Sequence, residues 1–507
     1  MNYLIGIDVG TSAAKTVLFD DKGNTVASAS WEYPLYQPHN GWAEQNPRDW
    51  AEAVLKTLGR VVTESKVSPE SVKSIGISGQ MHGLVMLDEK GEPLRPSIIW
   101  CDQRTGEEVE DMLGIMTRER WIRITANPPL TGWTAAKILW VKKHEQEVYE
   151  QCRHILLPKD YIRYVLTGVF ATEVSDASGM QLLDVPGRCW SEEILEKLNI
   201  PEEWLGKVYE SCQVTGYLLP DAARAVGLTE KTCVVGGAGD NAAAAVGTGV
   251  VKDGTAFTTI GTSGVVFAHS SRVTIDPKGR VHTCCCAVPG AWHVMGVTQG
   301  AGLSLKWMKD NFCQDYGDKA EREGADVYDL INEDVEKIPA GSDRLIYLPY
   351  LMGERTPHLD PDCRGVFFGL SALHTRAHLL RAVMEGVSYS LCDCNEILTE
   401  MGVKVDAMMA CGGGGKSPVW RQMLADLYRC PVQTLRQTEG PALGAAILAG
   451  VGCGIYESVE KACQEMISPE KTCMPKKENA AVYEQYHKLY KRLYRSLKED
   501  YKELARL

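Results

Sequence analysis

The chain opens on an apolar run, Tyr3–Asp8, breaks at Gly10-Thr11-Ser12, resumes over Lys15–Phe19 and breaks again at Asp21-Lys22-Gly23-Asn24. Short apolar runs bounded by small, turn-forming residues predict strands joined by tight turns. Helical spacing follows over Trp50–Ser65, then strands over Val72–Ser78 and Leu84–Asp88. Positions 106–230 read as mainly helical, with the clearest periodicity in Thr134–His144 and Leu156–Leu166. A small-residue stretch, 234–250, then predicts a strand, a glycine turn and an alanine-rich helix.

The pattern restarts just past Gly249. Thr255–Ile260, Gly261-Thr262-Ser263-Gly264 and Val265–Ala268 repeat the opening plan of strand, Gly-Thr-Ser turn and strand. Superposing the two turns sets Asp8 opposite Thr259, so only the first copy carries a carboxylate. A duplicated unit, with a cleft between two related halves, follows from this repeat. Later, Asp406–Ala410 predicts a strand running into Gly412-Gly413-Gly414-Gly415, and Ser417-Pro418 opens a helix with a serine cap and proline in the first turn. Tyr483, Tyr486, Leu489, Tyr490, Leu493, Tyr494 and Leu497 form a stripe that predicts a tail helix packed on its own half.

A length of 507 residues, with 44% hydrophobic and 24% charged positions, fits two or three compact units. The net charge of -12 excludes the basic footprint of a nucleic-acid binder. The first residues enter a strand without a signal-peptide pattern, and no apolar run reaches the ~18 residues of a membrane span. A cytoplasmic protein with no membrane contact is expected. There are 17 cysteines and no Cys-x-x-Cys pair. Cys284, Cys285 and Cys286 are consecutive and Cys392 and Cys394 flank an aspartate, yet without ligand spacing these read as free thiols.

The turns suggest phosphate chemistry. Two Gly-Thr-Ser turns let backbone amides approach an anion, and Asp8 beside the first would repel phosphates unless a cation such as Mg²⁺ lay between. Gly415-Lys416-Ser417 looks like the tail of a P-loop, but Ala410 stands where that pattern needs its first glycine. A strand–glycine–helix turn against a flat adenosine is the better reading. In Gly236-Gly237-Ala238-Gly239-Asp240-Asn241, Asp240 reads either as a helix cap or as an acceptor for a hydroxyl proton. Gln80-Met81-His82-Gly83 and the pieces Gly41–Gln45 and Trp100–Arg104 mix aromatic, acidic and amide groups of the kind that recognise polyols.

Taken together these segments resemble the FGGY carbohydrate kinases, from roughly Tyr3 to Gly452. One family signature is similar to Gly132–His144, through Thr134, Lys137, Trp140 and His144; a second is similar to Gly365–Glu385, through Gly369, His378, Ala382 and Glu385. The resemblance implies an α/β protein of two actin-like (ribonuclease H-like) ATPase domains with a catalytic cleft between them. The units would be residues 1–248, 249–452 and a helical extension 453–507. It implies ATP and Mg²⁺ as cofactors and a small-molecule sugar as partner, with a homodimer among the possible assemblies.

By the same resemblance, Asp240 is the catalytic base, and Met81, His82, Asp240 and Asn241 contact the sugar. Thr11, Ser12, Gly261, Thr262 and Ser263 grip phosphate, and Asp8 holds the metal. Gly413, Gly414 and Ser417 form the adenosine wall, with Gln422 beside them. Within the family, Gln80–Gly83, Leu348–His358 and Gly440–Ala446 narrow the implied substrate to D-xylulose, with ribulose, erythritol, glycerol and gluconate as alternatives. Ala238 departs from the family's usual glycine.

Overall fold

The computed structural model describes residues 1–437 and 439–507. In the first half β1 (Tyr3–Val9), β2 (Ala13–Asp20) and β3 (Thr25–Glu32) form an antiparallel meander. Helix α1 (Pro47–Ser65) then crosses one face, and β4 (Val72–Gly79) returns parallel to β1. After a long, mostly helical excursion that includes α2 (Thr134–His144) and α3 (Pro158–Thr167), the sheet is completed by β5 (Val214–Tyr217), β6 (Cys233–Val235) and β7 (Ala238–Gly239). The strand order is β5-β6-β4-β1-β2-β3, with β7 paired to the end of β4. Helix α4 (Asp240–Gly247) closes this half.

The second half repeats the plan. Strands β8 (Gly254–Ile260), β9 (Gly264–Ser270), β10 (His282–Cys285) and β11 (Trp292–Thr298) are antiparallel neighbours along one side of the sheet. Helix α5 (Arg376–Glu400) crosses over to β12 (Val405–Cys411), parallel to β8, and α6 (Pro418–Tyr428) leads to β13 (Val432–Leu435), parallel to β12. Helix α7 (Gly440–Gly452), β14 (Pro469–Cys473) and α8 (Lys477–Leu504) follow. From β11 to β14 the order β11-β9-β8-β12-β13-β14 matches β3-β2-β1-β4-β6-β5 of the first sheet, β8 standing where β1 stands, while β10 is added at one edge. The repeated Gly-Thr-Ser turns therefore occupy equivalent hairpins of two like sheets. The duplication legible in the turns extends through each sheet.

Burial follows the strand patterns. Central β1 is buried along nearly its whole length, whereas edge strand β3 shows solvent most of its residues. The first core gathers Ile5, Ile7, Trp50, Val54, Leu58 and Ile75; the second gathers Val266, Tyr347, Leu391 and Trp420. The tail helix α8 lays Tyr483, Tyr490, Leu493 and Tyr494 into this second core. No described helix is long and apolar enough to cross a membrane.

The two halves meet through α4 and α7. A Cβ on Gly444 would overlap the carbonyl of Ala243, and one on Gly247 would overlap that of Gly440. On its other side α7 lies against the first sheet, where Gly6 and Gly76 leave no room for a side chain beside the carbonyls of Ala442 and Ala445. Glycines on four elements let backbones touch, so α7, from the second half, rests on the sheet of the first.

Several boundaries differ from the sequence reading. Helix α1 starts at Pro47, because Asn46 caps it and accepts a bond from the Arg48 amide. Leu156 belongs to a short strand, His154–Leu156, paired with Val85–Leu87; the helix begins at Pro158, where proline suits the first turn. Within 106–230 short strands alternate with the helices. Ser417 does cap α6, accepting from the Trp420 amide.

Candidate active site

Asp240 is the first residue of α4, and Gly239, not Asp240, takes the cap position. The preceding Gly237 has φ +74 and no room for a Cβ against the Ile77 carbonyl, so glycine is required there. Ala238 sits in β7 beside Ser78 with its methyl buried, so the departure from the family pattern is absorbed by the sheet. The Asp240 carboxylate therefore projects into the cleft while one oxygen, Oδ1, accepts from the Asn241 amide at 2.7 Å and from Asn241 Nδ2 at 2.9 Å.

Burial and the nearby negative charge of Asp8 raise Asp240 from the ordinary carboxylate range to about 7, against the lowering effect of the Asn241 bonds. A carboxyl group titrating there exchanges protons near neutral pH. Asp8 is itself raised, by burial first, and its Oδ1 is buried without a hydrogen-bond partner among the described residues. Lys15 and Glu439, paired at 2.5 Å, tie β2 to the entrance of α7.

Asp240 and Asn241 line a cleft of about 750 Å³. Its opposite wall comes from the second half: Thr259 at the end of β8, Gly412, Gly413 and Gly415 after β12, and Gly440-Pro441 opening α7. Thr259, the residue opposite Asp8 in the repeat, thus faces the cleft. In the Gly-Thr-Ser turns the hydroxyls of Ser12, Thr262 and Ser263 are exposed, and Thr11 Oγ1 accepts from Trp100 Nε1 at 2.9 Å. Gln45 Nε2 holds the Thr11 carbonyl at 2.7 Å, and Gln80 Nε2 bonds Gln45 Oε1 at 2.8 Å. The first turn is thereby fixed from below. Gly261 is held by its own turn, its amide bonding the Ser263 carbonyl at 3.0 Å.

Met81 and His82 lie on the Asp240 side of this arrangement. A Cβ on Gly239 would strike Met81, and one on Gly179 would strike His82, so both side chains nestle against bare backbone. His82 has φ +66, an uncommon conformation for a non-glycine residue. Its carbonyl is clamped by Lys137 Nζ at 2.7 Å and by Thr134 Oγ1 at 3.1 Å. Two residues of the first signature thus hold the loop in its strained shape. Burial lowers His82 to about 3, so the ring is neutral. Nδ1 donates to the Gly179 carbonyl at 2.8 Å, which leaves Nε2 as an acceptor. The ring stacks on Trp133 at 4.5 Å.

Residues 3–247 match the FGGY family of carbohydrate kinases, N-terminal domain, and residues 256–453 match its C-terminal domain. The chain belongs to this family. It is 40% identical to a xylulose kinase of Bacillus subtilis over 98% of each chain. It is 32% identical to a gluconokinase of the same organism over 99% of this chain and 98% of that one. A crystal structure of ligand-bound xylulose kinase from Lactobacillus acidophilus superposes with a TM-score of 0.92 at 29% identity, covering 99% of this chain and 100% of that one. As a sugar kinase of the two-domain, actin-like type, the protein uses ATP and takes a small-molecule sugar.

Other residues singled out in the sequence are engaged elsewhere. Ser417 Oγ bonds Asn332 Oδ1 at 2.7 Å besides capping α6, and Gln422 Nε2 bonds Asp426 and the Met474 carbonyl at 2.8 and 2.9 Å. Gly414 packs its bare face against Ile260 and Trp420. Arg104 is clasped by Asp102 and Glu44 and covers Trp42 at 3.6 Å, so its guanidinium ties those two segments together. In the second signature, Glu385 accepts from the Gly341 amide, Ser342 and Arg381, and His378 completes the cap of α5. That signature builds scaffold.

Sequence reasoning missed Thr259, Lys416 and Gln437 on the cleft wall and Trp133 beside His82. For Thr259 the repeat held the signal, since its partner Asp8 was already marked. The consecutive cysteines lie buried in and just after β10, and burial pushes Cys285 up to about 11 and Cys286 up to about 12. They are neutral thiols within the core.

Proposed function

We propose that this kinase transfers the γ-phosphoryl group of MgATP to D-xylulose, giving D-xylulose 5-phosphate and ADP. The observation that carries the proposal is Asp240: a carboxylate raised to about 7, held by Asn241, lining a cleft walled by both halves. In this reading the sugar's terminal hydroxyl donates its proton to the free oxygen of Asp240 as the phosphoryl group moves. His82 Nε2 and Asn241 accept and donate to the other hydroxyls, and Met81 supplies an apolar wall. Gly413 lines the adenosine, with Gly414 seated on Ile260 and Trp420 and Ser417 fixing the helix behind it.

Mg²⁺ suits Asp8, whose Oδ1 is buried without a partner among the described residues. Bound there with the nucleotide, the ion would neutralise charge on the phosphate oxygens. The exposed Ser12, Thr262 and Ser263 favour the phosphate chain from either side, with Thr11 and Gly261 shaping the two turns. We assign residues 1–248 and 249–452 as the two lobes, with 453–507 as an extension of the second, and extend the proposal to a cytoplasmic homodimer.

The sugar is the part most in need of test, because a gluconokinase is also a relative. A coupled ADP-release assay over D-xylulose, ribulose, erythritol, glycerol and gluconate should give the highest kcat/KM for D-xylulose. A higher value for any other sugar overturns the assignment of substrate.

A further inference from the structure

Away from the cleft, a second depression of about 390 Å³ lies where α8 crosses α5. Its wall includes Cys392 and Glu396, one turn apart on α5, and His487 of α8. One donor atom from each, Cys392 Sγ, a Glu396 oxygen and a His487 ring nitrogen, lies within 4.8 Å of the other two. We propose that these three groups bind one Zn²⁺ ion, which clamps the tail helix to the second lobe.

The groups around the donors are arranged as at metal centres. His487 Nε2 donates to Asp393 Oδ1 at 2.7 Å, which fixes the ring and turns Nδ1 toward the other donors. Nδ1 lies 3.5 Å from Glu396 Oε1. The other carboxylate oxygen, Oε2, is held by Lys491 Nζ at 2.5 Å. Imidazole and carboxylate are thus each oriented by an outer partner, with Nδ1 and Oε1 turned toward a shared space. On the same wall Asn395 Oδ1 is buried with no donor among the described residues, as is Asp393 Oδ2 behind the histidine. A water completing the coordination of the ion would supply such a donor.

The chemistry selects the ion. A thiolate, an imidazole and one carboxylate suit tetrahedral Zn²⁺, with the fourth position open to the depression. Mg²⁺, which prefers oxygen ligands, would leave the site to zinc and remain with the nucleotide. Linking α5 to α8 also gives the ion a structural consequence, since it would oppose detachment of the tail helix.

The test uses the full-length protein, stripped of metal and free of nucleotide. Zn²⁺ should bind with one equivalent of affinity at or below about 1 µM, and Co²⁺ in its place should show the near-ultraviolet absorption of a cobalt–thiolate bond. Cys392→Ser should abolish that absorption, and both Cys392→Ser and the half-exposed Glu396→Gln should weaken Zn²⁺ binding about tenfold or more. Glu396→Gln keeps shape and helix propensity, so it reports even where the buried cysteine variant folds poorly. Zn²⁺ should also raise the Tm of the wild type more than that of either variant. Failure of the wild type to bind Zn²⁺, or equal binding by wild type and Glu396→Gln, overturns the proposal and leaves an ion-pair cluster.

Discussion

If Asp240 accepts the substrate proton, the pH dependence of the reaction must carry its titration. With its carboxyl at about 7, about a tenth of the enzyme is ionised at pH 6 and about nine-tenths at pH 8. The value of kcat/KM for the sugar should therefore rise about tenfold per pH unit below the inflection and level off above it. Asn241→Ala removes the 2.9 Å side-chain bond to Oδ1 and leaves the backbone bond. A hydrogen bond to a charged acceptor contributes about 1.5 kcal/mol, or about one pH unit. Losing it disfavours the carboxylate, so the inflection should move upward by about that amount. The assay is initial rate against sugar concentration from pH 5.5 to 9, for both proteins with the same nucleotide, whose own titration cancels in the difference. A wild-type profile flat through pH 7, or a downward shift in Asn241→Ala, would refute the role given to Asp240.

Other outcomes follow from the same geometry. Asp240→Asn should lower turnover by about 10² or more while leaving nucleotide binding within a few-fold. Because burial raises Asp240, the folded protein holds a proton between pH 3.8 and about 7 that the unfolded chain has released, and stability falls as pH rises across that window. The Tm gain of Asp240→Asn should accordingly be larger at pH 8 than at pH 5. Gly444→Ala would drive a methyl group into the Ala243 carbonyl and should lower stability by about 3 kcal/mol, read by urea unfolding; wild-type stability would remove the tight helix crossing. Lys159 is buried among Asp160, Glu173 and Asp176 at 2.7, 3.3 and 3.4 Å, and Lys159→Met should cost about 3–5 kcal/mol by leaving that cluster short of positive charge. His82→Ala should lose discrimination between D-xylulose and its alternatives in the ADP-release panel; unchanged ratios would take His82 out of sugar recognition.

The legible part of the fold was the part written in short range. Apolar runs cut by Gly10-Thr11-Ser12 and Gly261-Thr262-Ser263 defined both hairpins, because a turn needs small residues at fixed places whatever surrounds it. Ser417 announced its helix for the same reason. Leu156 misled because a buried apolar residue before a proline has no periodicity of its own. Only its pairing with Val85, in the run Val85–Leu87, makes that segment a strand.

For the site, the sequence by itself determined the chemistry present: a carboxylate behind glycines, two anion-ready turns, and signatures that marked the family. It could not assign duties within them. Thr134 and Lys137 turn out to hold the His82 carbonyl, and Glu385 to fasten a loop, since those partners lie tens of residues away in the chain. Tertiary structure alone decided that Asp240 lies near Asp8 and is buried enough to titrate near 7. It alone brought His487 beside Cys392 and Glu396, whose thiol showed no ligand spacing. A proton affinity or a donor cluster depends on distance and on exclusion of water, and both arise only when separate segments pack.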